Sequence, residues 1–307
     1  MKFTKMQGCG NDYIYINGGT ERIADDRKPE LVRRLSDRHF GIGGDGVIFI
    51  NPAPASETGV DYEMEMYNAD GSRSEMCGNG IRCVGAYVWE HGMTDRTKLT
   101  ILSAGARKYL TLEPDDQAPD RRIKSVTVDM GAPILTPFSI PVDEAKLPAE
   151  HEKTNGLTIA TFTGEAGQPG FSPLTLNYRT AFVSMGNPHA VIVLPDDTDL
   201  SAFPLEQTGR WFESHPCFPN RTNTEFVHID GRNEVHMRVW ERGTGETLAC
   251  GTGCCAITVA CALQGFTEDE ILLHVLGGEI RCRYDRAADT VFMTGPAVTV
   301  FEGEINL

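Results

Sequence analysis

Two cysteines in the 307-residue sequence, Cys77 and Cys250, open the same short pattern, Cys-Gly-x-Gly, just ahead of an apolar segment. If that segment is a helix, its first N–H groups lack intrahelical acceptors, and the macrodipole adds roughly half a positive charge there. Glycines let an anionic group approach such a backbone closely. The same field is expected to lower a thiol from about pKa 8.5 toward the range of about 3.5–7.5 seen for activated cysteines. Each copy therefore offers a reactive thiol beside a carboxylate cradle. Two copies aimed at one amino-acid substrate would place a thiol on either side of its α-carbon, one to remove the proton and the other to deliver one to the opposite face. That is the geometry of racemisation. N–H donors on the substrate carboxylate would stabilise the enolate-like charge.

The elements that must hold these cysteines repeat. Residues 62–92 and 235–265 align without a gap at an offset of 173, with identities at Met64/Met237, Cys77/Cys250, Gly78/Gly251, Gly80/Gly253 and Gly92/Gly265. Each stretch starts with period-two alternation, Tyr62, Met64 and Met66 or Val235, Met237 and Val239, which reads as a strand with one buried face. A polar turn follows, Asn68 to Ser74 or Glu241 to Thr247. After Cys-Gly-x-Gly comes a segment apolar on nearly all sides, Ile81 to Trp89 or Cys254 to Leu263, which predicts a buried helix. Gly92 and Gly265 then stand where a left-handed C-cap would. Further out, Gly10-Asn11 and Gly186-Asn187 each precede a strand-like run, Tyr13 to Ile16 and Ala190 to Leu194, and Gly105 and Gly278 keep the offset. The chain thus reads as two similar α/β halves, residues 1–130 and 131–294. Pro141 to Pro173 has no counterpart in the first half and is expected to form surface loops.

Composition narrows the function. Hydrophobic residues make up 40% and charged residues 23%, as in globular proteins, and the formal net charge of −15 disfavours nucleic acid as a partner. The N-terminus lacks the apolar core of a signal peptide and no run of about 18 apolar residues occurs, so no membrane span is expected. Nine cysteines, an odd number without disulfide-framework spacing, point to a reducing, cytoplasmic setting. Cys83, Cys255 and Cys261 sit in apolar runs and read as small buried hydrophobes. No cofactor is expected: there is no P-loop, no GxGxxG after a strand and no evident Schiff-base lysine. No metal is expected either, because Cys250 and Cys254 lie four apart, no Cys-x2-Cys pair exists and no histidine falls nearby at ligand spacing. A dithiol redox site would more typically use Cys-x-x-Cys.

Together these stretches resemble the diaminopimelate epimerase family over nearly the whole chain. The resemblance rests on KMQGCGND (5–12), DRHFGIGGDGV (37–47), YNADGSRSEMCGNGIRC (67–83), VSMGNPH (183–189), ESHPCFPNRTNTEF (213–226) and VWERGTGETLACGT (239–252). It implies an α/β (α+β) fold of two pseudo-symmetric domains, each a curved, mostly antiparallel sheet or barrel around a central buried helix. The last strand, around Val298 to Ile305, would return to the first domain, so that 295–307 completes residues 1–130. The resemblance also implies interconversion of LL- and meso-2,6-diaminopimelate for lysine and peptidoglycan synthesis, without pyridoxal phosphate, and a homodimer. Carried over, Cys77 and Cys250 are the acid/base pair, with His189 and Glu241 tuning the thiols. Gly78, Asn79, Gly251 and Thr252 hold the reacting carboxylate through N–H groups, and Glu241 accepts from the reacting amino group. Asn68, Asn187, Asn223 and the Arg242 guanidinium hold the distal end, and Asn11 lines the pocket.

Some positions depart from the family pattern. Gly46 stands where some members carry a substrate-contacting Gln, Cys9 and the Cys254-Cys255 pair replace commoner apolar or small residues, and Ala190 follows His189 where Cys is common. Two alternatives remain: racemisation of another amino acid, such as histidine or proline, and a catalytically silent binding module. Asn68, Asn223 and Arg242 favour a substrate with a second carboxylate over a monocarboxylate, and the presence of both cysteines argues against silence.

Overall fold

The computed structural model describes residues 1–74, 76–118, 120–164 and 177–306. In chain order the elements are β1 (Lys2–Gly8), β2 (Asn11–Asn17), α1 (Lys28–Ser36), β3 (Gly46–Pro52), β4 (Tyr62–Asn68), β5 (Arg73–Ser74), α2 (Gly78–Glu90), β6 (Lys98–Ser103), β7 (Ala106–Pro114), β8 (Ile123–Gly131), β9 (His151–Thr154), β10 (Leu157–Thr163), β11 (Asn177–Ser184) and β12 (Pro188–Val193). They continue as α3 (Leu205–Glu213), β13 (Asn223–Gly231), β14 (Glu234–Glu241), β15 (Gly245–Glu246), α4 (Gly251–Gln264), β16 (Glu270–Val275), β17 (Gly278–Asp285), β18 (Thr290–Gly295) and β19 (Val298–Glu304). The chain divides into two units, Met1–Asp129 with Thr294–Leu307, and Met130–Met293.

In the first unit the strands run β19-β1-β2-β3-β4-β6-β7-β8, antiparallel except for the parallel pairs β2/β3 and β4/β6. In the second they run β9-β10-β11-β12-β13-β14-β16-β17, with the parallel pairs at β12/β13 and β14/β16. The order of connections is the same in both, strand–strand–helix–strand–strand–strand–helix. The sequence repeat is therefore a structural repeat, and α2 and α4 are its equivalent buried helices.

The inner strands are buried on both faces, which explains their unbroken apolar runs. Along β2, Ile14 and Ile16 join Val32, Leu35, Val47 and Phe49 around α1. On the opposite face the Tyr15 ring stacks on Tyr87 of α2 and its hydroxyl donates to Gly80 O (3.2 Å). In β12, Ala190 and Ile192 join Phe203, Phe212, Phe226 and Trp240 around α3, so His189 and Val191 alternate to the other face. Both faces of β2 and β12 are thus occupied, and the residues just before these strands are set by a rigid support.

Helix α2 spans Gly78–Glu90 and α4 spans Gly251–Gln264, starting directly after Cys77 and Cys250. Gly92 (φ 65°) follows the end of α2 and Gly265 (φ 79°) ends α4, as the sequence predicts. Arg82 lies inside the apolar stretch of α2 and is fully buried; its Nε donates to Pro296 O (3.1 Å), tying the helix to the chain just before β19. Cys83, Cys255 and Cys261 are fully buried, as expected of small hydrophobes.

The expectation of surface loops over Pro141 to Pro173 needs correction. Part of this stretch forms β9 and β10, and Leu157, Ile159 and Phe162 are buried. The run Leu157-Thr-Ile-Ala-Thr-Phe carries β-branched residues and alternation that its Thr and Gly neighbours obscure. Residues 165–173 of the stretch lie outside the described residues.

Helix α3 lies close against β14. A Cβ on Gly209 would stand 2.4 Å from Trp240 Cγ, while Trp240 Nε1 donates to Glu213 Oε2 (2.7 Å) on the same helix. Gly209→Ala is therefore expected to overpack this face and lower stability by about 1–3 kcal/mol. A denaturation midpoint equal to that of the wild type would refute this account of the contact.

Candidate active site

Cys77 is the N-cap of α2. Its backbone is extended (φ −130°, ψ 117°), and its sulfur accepts the Gly80 N–H (3.3 Å), satisfying one orphan donor of the first turn. The thiol donates to Asn11 Oδ1 (3.0 Å). Asn11 in turn gives its Nδ2 to Asp45 Oδ2 (2.6 Å), which fixes the amide with its oxygen toward the sulfur. Arg38 bonds both Asp45 (2.8 Å) and Asp12 (2.7 Å). Burial pushes the Tyr13 phenol upward, and the adjacent Cys77 and Asp45 push it further, so this hydroxyl stays protonated beside the thiol. Asn79 is buried in the first turn of α2. Asn68, at the end of β4, spends its Nδ2 on Ser72 Oγ (3.0 Å) in the turn to β5.

Cys250, the N-cap of α4, is placed differently. It is only 5% exposed, against partial exposure for Cys77. Thr252 Oγ1 lies 3.5 Å from its sulfur and accepts from Asn187 Nδ2 (3.2 Å). Asn187 Oδ1 bonds His189 Nε2 (3.0 Å), and His189 Nδ1 bonds Glu225 Oε1 (2.6 Å), both of these side chains being fully buried. Glu241 Oε1 accepts from Thr247 Oγ1 (2.5 Å), and burial raises the Glu241 carboxyl above its ordinary value. Asn223 is buried, and its Oδ1 accepts the backbone N–H of Arg242 (2.9 Å). The exposed Arg242 guanidinium donates to Asn220 O (3.2 Å).

The expectation that the helix terminus lowers both thiols requires correction at Cys250. Burial pushes this thiol well above the ordinary range, and the Glu241 and Glu225 carboxylates push in the same direction. The Thr252 hydroxyl and the Gly253 N–H pull the other way but do not prevail. A partial charge of about one half cannot compensate for desolvation beside two carboxylates.

His189, Glu225 and Cys250 are the one group of metal-capable side chains among the described residues, with ligand atoms within 4.8 Å of one another. Their spacing is that of hydrogen bonds. Two donors each about 2.0–2.3 Å from a tetrahedral ion stand well over 3 Å apart, whereas His189 Nδ1 and Glu225 Oε1 are 2.6 Å apart.

Comparison with known proteins bears directly on this arrangement. The family model described as diaminopimelate epimerase matches residues 3–136 and 181–300. A relative from Agathobacter rectalis named diaminopimelate epimerase is 46% identical over 307 residues, covering all of both chains. Relatives of the same name from Desulfovibrio desulfuricans (45% identical, 99% of this chain and 98% of the relative) and from Methanococcus maripaludis (43% identical, all of both chains) match end to end. The chain belongs to the diaminopimelate epimerase family. The fold extends well beyond the epimerase family. A phenazine biosynthesis protein of Bacillus anthracis superposes with a TM-score of 0.70 at 14% identity, covering 100% of this chain and 99% of that one. A hydroxyproline epimerase of Agrobacterium vitis gives 0.65 at 15% identity, covering 99% and 90%. Among the described residues no helix is long and apolar enough to cross a membrane.

Within this epimerase-family chain the structure gathers Asn11, Cys77, Gly78 and Asn79 at the start of α2. It gathers Asn187, His189, Glu241, Cys250, Gly251 and Thr252 at the start of α4. Asn223 and Arg242 meet one step away, backbone to side chain. Sequence reasoning did not single out Tyr13, Asp45, Thr247 or Glu225. The available signal for Glu225 was an acid inside the otherwise uncharged run Thr222-Asn-Thr-Glu-Phe-Val, which predicts a buried carboxylate needing a partner.

Proposed function

We propose that this chain interconverts LL- and meso-2,6-diaminopimelate by a two-base reaction that needs no cofactor, feeding lysine and peptidoglycan synthesis. Each half, 1–130 completed by 295–307 and 131–294, contributes one thiol and one helix-terminus cradle. One of Cys77 and Cys250, as thiolate, takes the α-proton. The other, as thiol, gives a proton to the opposite face, after which the two have exchanged protonation states. The N–H groups of Gly78, Asn79, Gly251 and Thr252 bind the reacting carboxylate and take up the charge that develops on it. Glu241 accepts from the reacting amino group, and its position beside Cys250 lets it tune that thiol together with His189. Asn11 holds Cys77 and lines the pocket. Asn68, Asn187, Asn223 and Arg242 hold the distal carboxylate and amine. The enzyme works as a homodimer in the cytoplasm.

The observation that carries this reading is that each repeated unit holds a cysteine at the N-cap position of a glycine-opened, buried helix. Family membership supports the choice of substrate. The test is a chiral assay without added cofactor, offering LL- and meso-diaminopimelate beside histidine, proline and hydroxyproline. Inversion of diaminopimelate alone is expected; inversion of a monocarboxylate in its place would overturn the substrate assignment. Sedimentation of the purified protein tests the dimer.

The distal clamp gives a sharper result. Arg242→Lys keeps the charge but loses the planar fork that grips a carboxylate with two parallel hydrogen bonds. Because the guanidinium is exposed, stability should hold while kcat/KM for diaminopimelate falls about tenfold or more. An unchanged kcat/KM would remove Arg242 from the distal site.

A further inference from the structure

The two units support their cysteines with different chemistry at equivalent places. In the first, Tyr13 of β2 stands opposite Gly46 of β3, and two residues on, Ile48 packs under the α2 terminus; a Cβ on Gly80 would meet Ile48 Cδ1 at 2.9 Å. In the second, His189 of β12 stands opposite Asn223 of β13, and two residues on comes Glu225; a Cβ on Gly253 would meet Glu225 Oε1 at 2.7 Å. Glu225 thus occupies the place that a plain isoleucine fills in the sister unit. A carboxylate is not needed there for the fold, and burying one is costly unless it is used. Its second oxygen, Oε2, is buried without a hydrogen-bond partner among the described residues, so the whole of its bonding is directed at His189.

We propose that Glu225 is a positioning residue for Cys250, setting the direction of a hydrogen-bond relay that runs through His189, Asn187 and Thr252 to the catalytic sulfur. The inference rests on the reading of Cys250 as a working acid/base group. In this relay His189 carries both ring protons and forms an ion pair with the Glu225 carboxylate: Nδ1–H donates to Glu225 Oε1 (2.6 Å) and Nε2–H donates to Asn187 Oδ1 (3.0 Å). With its oxygen taken, the Asn187 amide turns its NH2 to Thr252 Oγ1 (3.2 Å). The threonine oxygen is then an acceptor, and its own proton is left for the Cys250 sulfur (3.5 Å). A hydroxyl pointing at the sulfur stabilises a thiolate, the state Cys250 must enter once in every turnover. Without the Glu225 charge the ring loses its ion-pair partner and, once neutral, carries a single proton, so Nε2 can become an acceptor. Asn187 can then flip, and its oxygen would draw the threonine proton away from the sulfur. Cys77 needs no such relay, because Asp45 fixes Asn11 directly against it.

The test compares Glu225→Ile, which copies the sister unit, with Glu225→Gln, which keeps a bonding partner for Nδ1 without the charge. Iodoacetamide labelling at one pH, resolved by peptide mass spectrometry, gives separate rates for Cys77 and Cys250, and steady-state kinetics give kcat and KM. In Glu225→Ile the Cys250 rate should fall about tenfold or more relative to that of Cys77, the size of one hydrogen bond to a charged group. In the same variant kcat should fall at least as far, with KM within about threefold of the wild type. Glu225→Gln should lose less on both measures. An unchanged ratio of the two labelling rates, or an equal fall at both thiols, overturns the relay. A selective loss of Cys250 labelling with full turnover would instead overturn the acid/base role of Cys250. If Glu225→Ile fails to fold, the labelling ratio in Glu225→Gln decides by the same criterion.

Discussion

Alanine at either Cys77 or Cys250 is expected to abolish net inversion, with kcat/KM falling by about 10³-fold or more, because a positioned general acid or base contributes about 10²–10⁴ and no nearby group can replace it. Neighbouring residues make poor substitutes. Beside Cys77, burial and the nearby Asp45 carboxylate hold the Tyr13 phenol protonated even without the thiol, and Asn11 has no proton to exchange in this range. Beside Cys250, the Glu241 carboxyl is engaged with Thr247 and His189 is bonded at both nitrogens. Removing one sulfur from a helix N-cap leaves the strands around it in place, so folding should survive. A variant with a single thiol should still exchange the α-proton of the one isomer whose hydrogen faces that thiol. Chiral chromatography measures inversion, and loss of the α-proton NMR signal in heavy water measures exchange. Wild-type inversion by either variant would exclude a two-thiol reaction.

The parts of this molecule that sequence could reveal are those set by local pattern. Cys-Gly-x-Gly before an apolar run is visible because a helix buried on all sides must be apolar along nearly its whole length, and both α2 and α4 are. The exception, Arg82, went unnoticed because its acceptor, Pro296 O, lies 214 residues away. Strand β10 was hidden for a similar reason: its residues alternate weakly, and the partner that makes it a strand is β11. In the site itself, each cysteine's position could be read, but its surroundings could not. Glu225 and His189 are 36 residues apart and meet only because β12 and β13 pair in parallel, with His189 opposite Asn223. The sign of the perturbation at Cys250 is illegible in the sequence on the same ground. A helix terminus is evident from local sequence, whereas the two carboxylates and the desolvation that outweigh it at Cys250 come from β13, β14 and the close packing of the core.

Deuterium incorporation tests the division of labour between the thiols most directly. If proton removal and proton delivery belong to different cysteines, one pure stereoisomer converted in heavy water and stopped early should give product that is almost fully deuterated at the inverted carbon. The donor thiol exchanges with solvent before substrate arrives, since S–H protons exchange rapidly wherever water reaches them. Cys77 is partly exposed and Cys250 is only 5% exposed, so solvent contact differs between the two residues. Recovered substrate should carry almost no deuterium, because the thiol that took its proton is the one that would return it. A single base swinging between faces predicts the reverse, with substrate protium carried into product. The unequal surroundings of the two thiols add a further expectation. Cys250 sits deeper, so a proton it has taken from substrate should escape to solvent more slowly than one held by Cys77. Return of protium to the starting isomer should therefore be greater in the direction in which Cys250 acts as the base. Equal return in both directions would show that the difference in burial does not control proton escape, and protium-rich product in either direction would end the two-base account altogether.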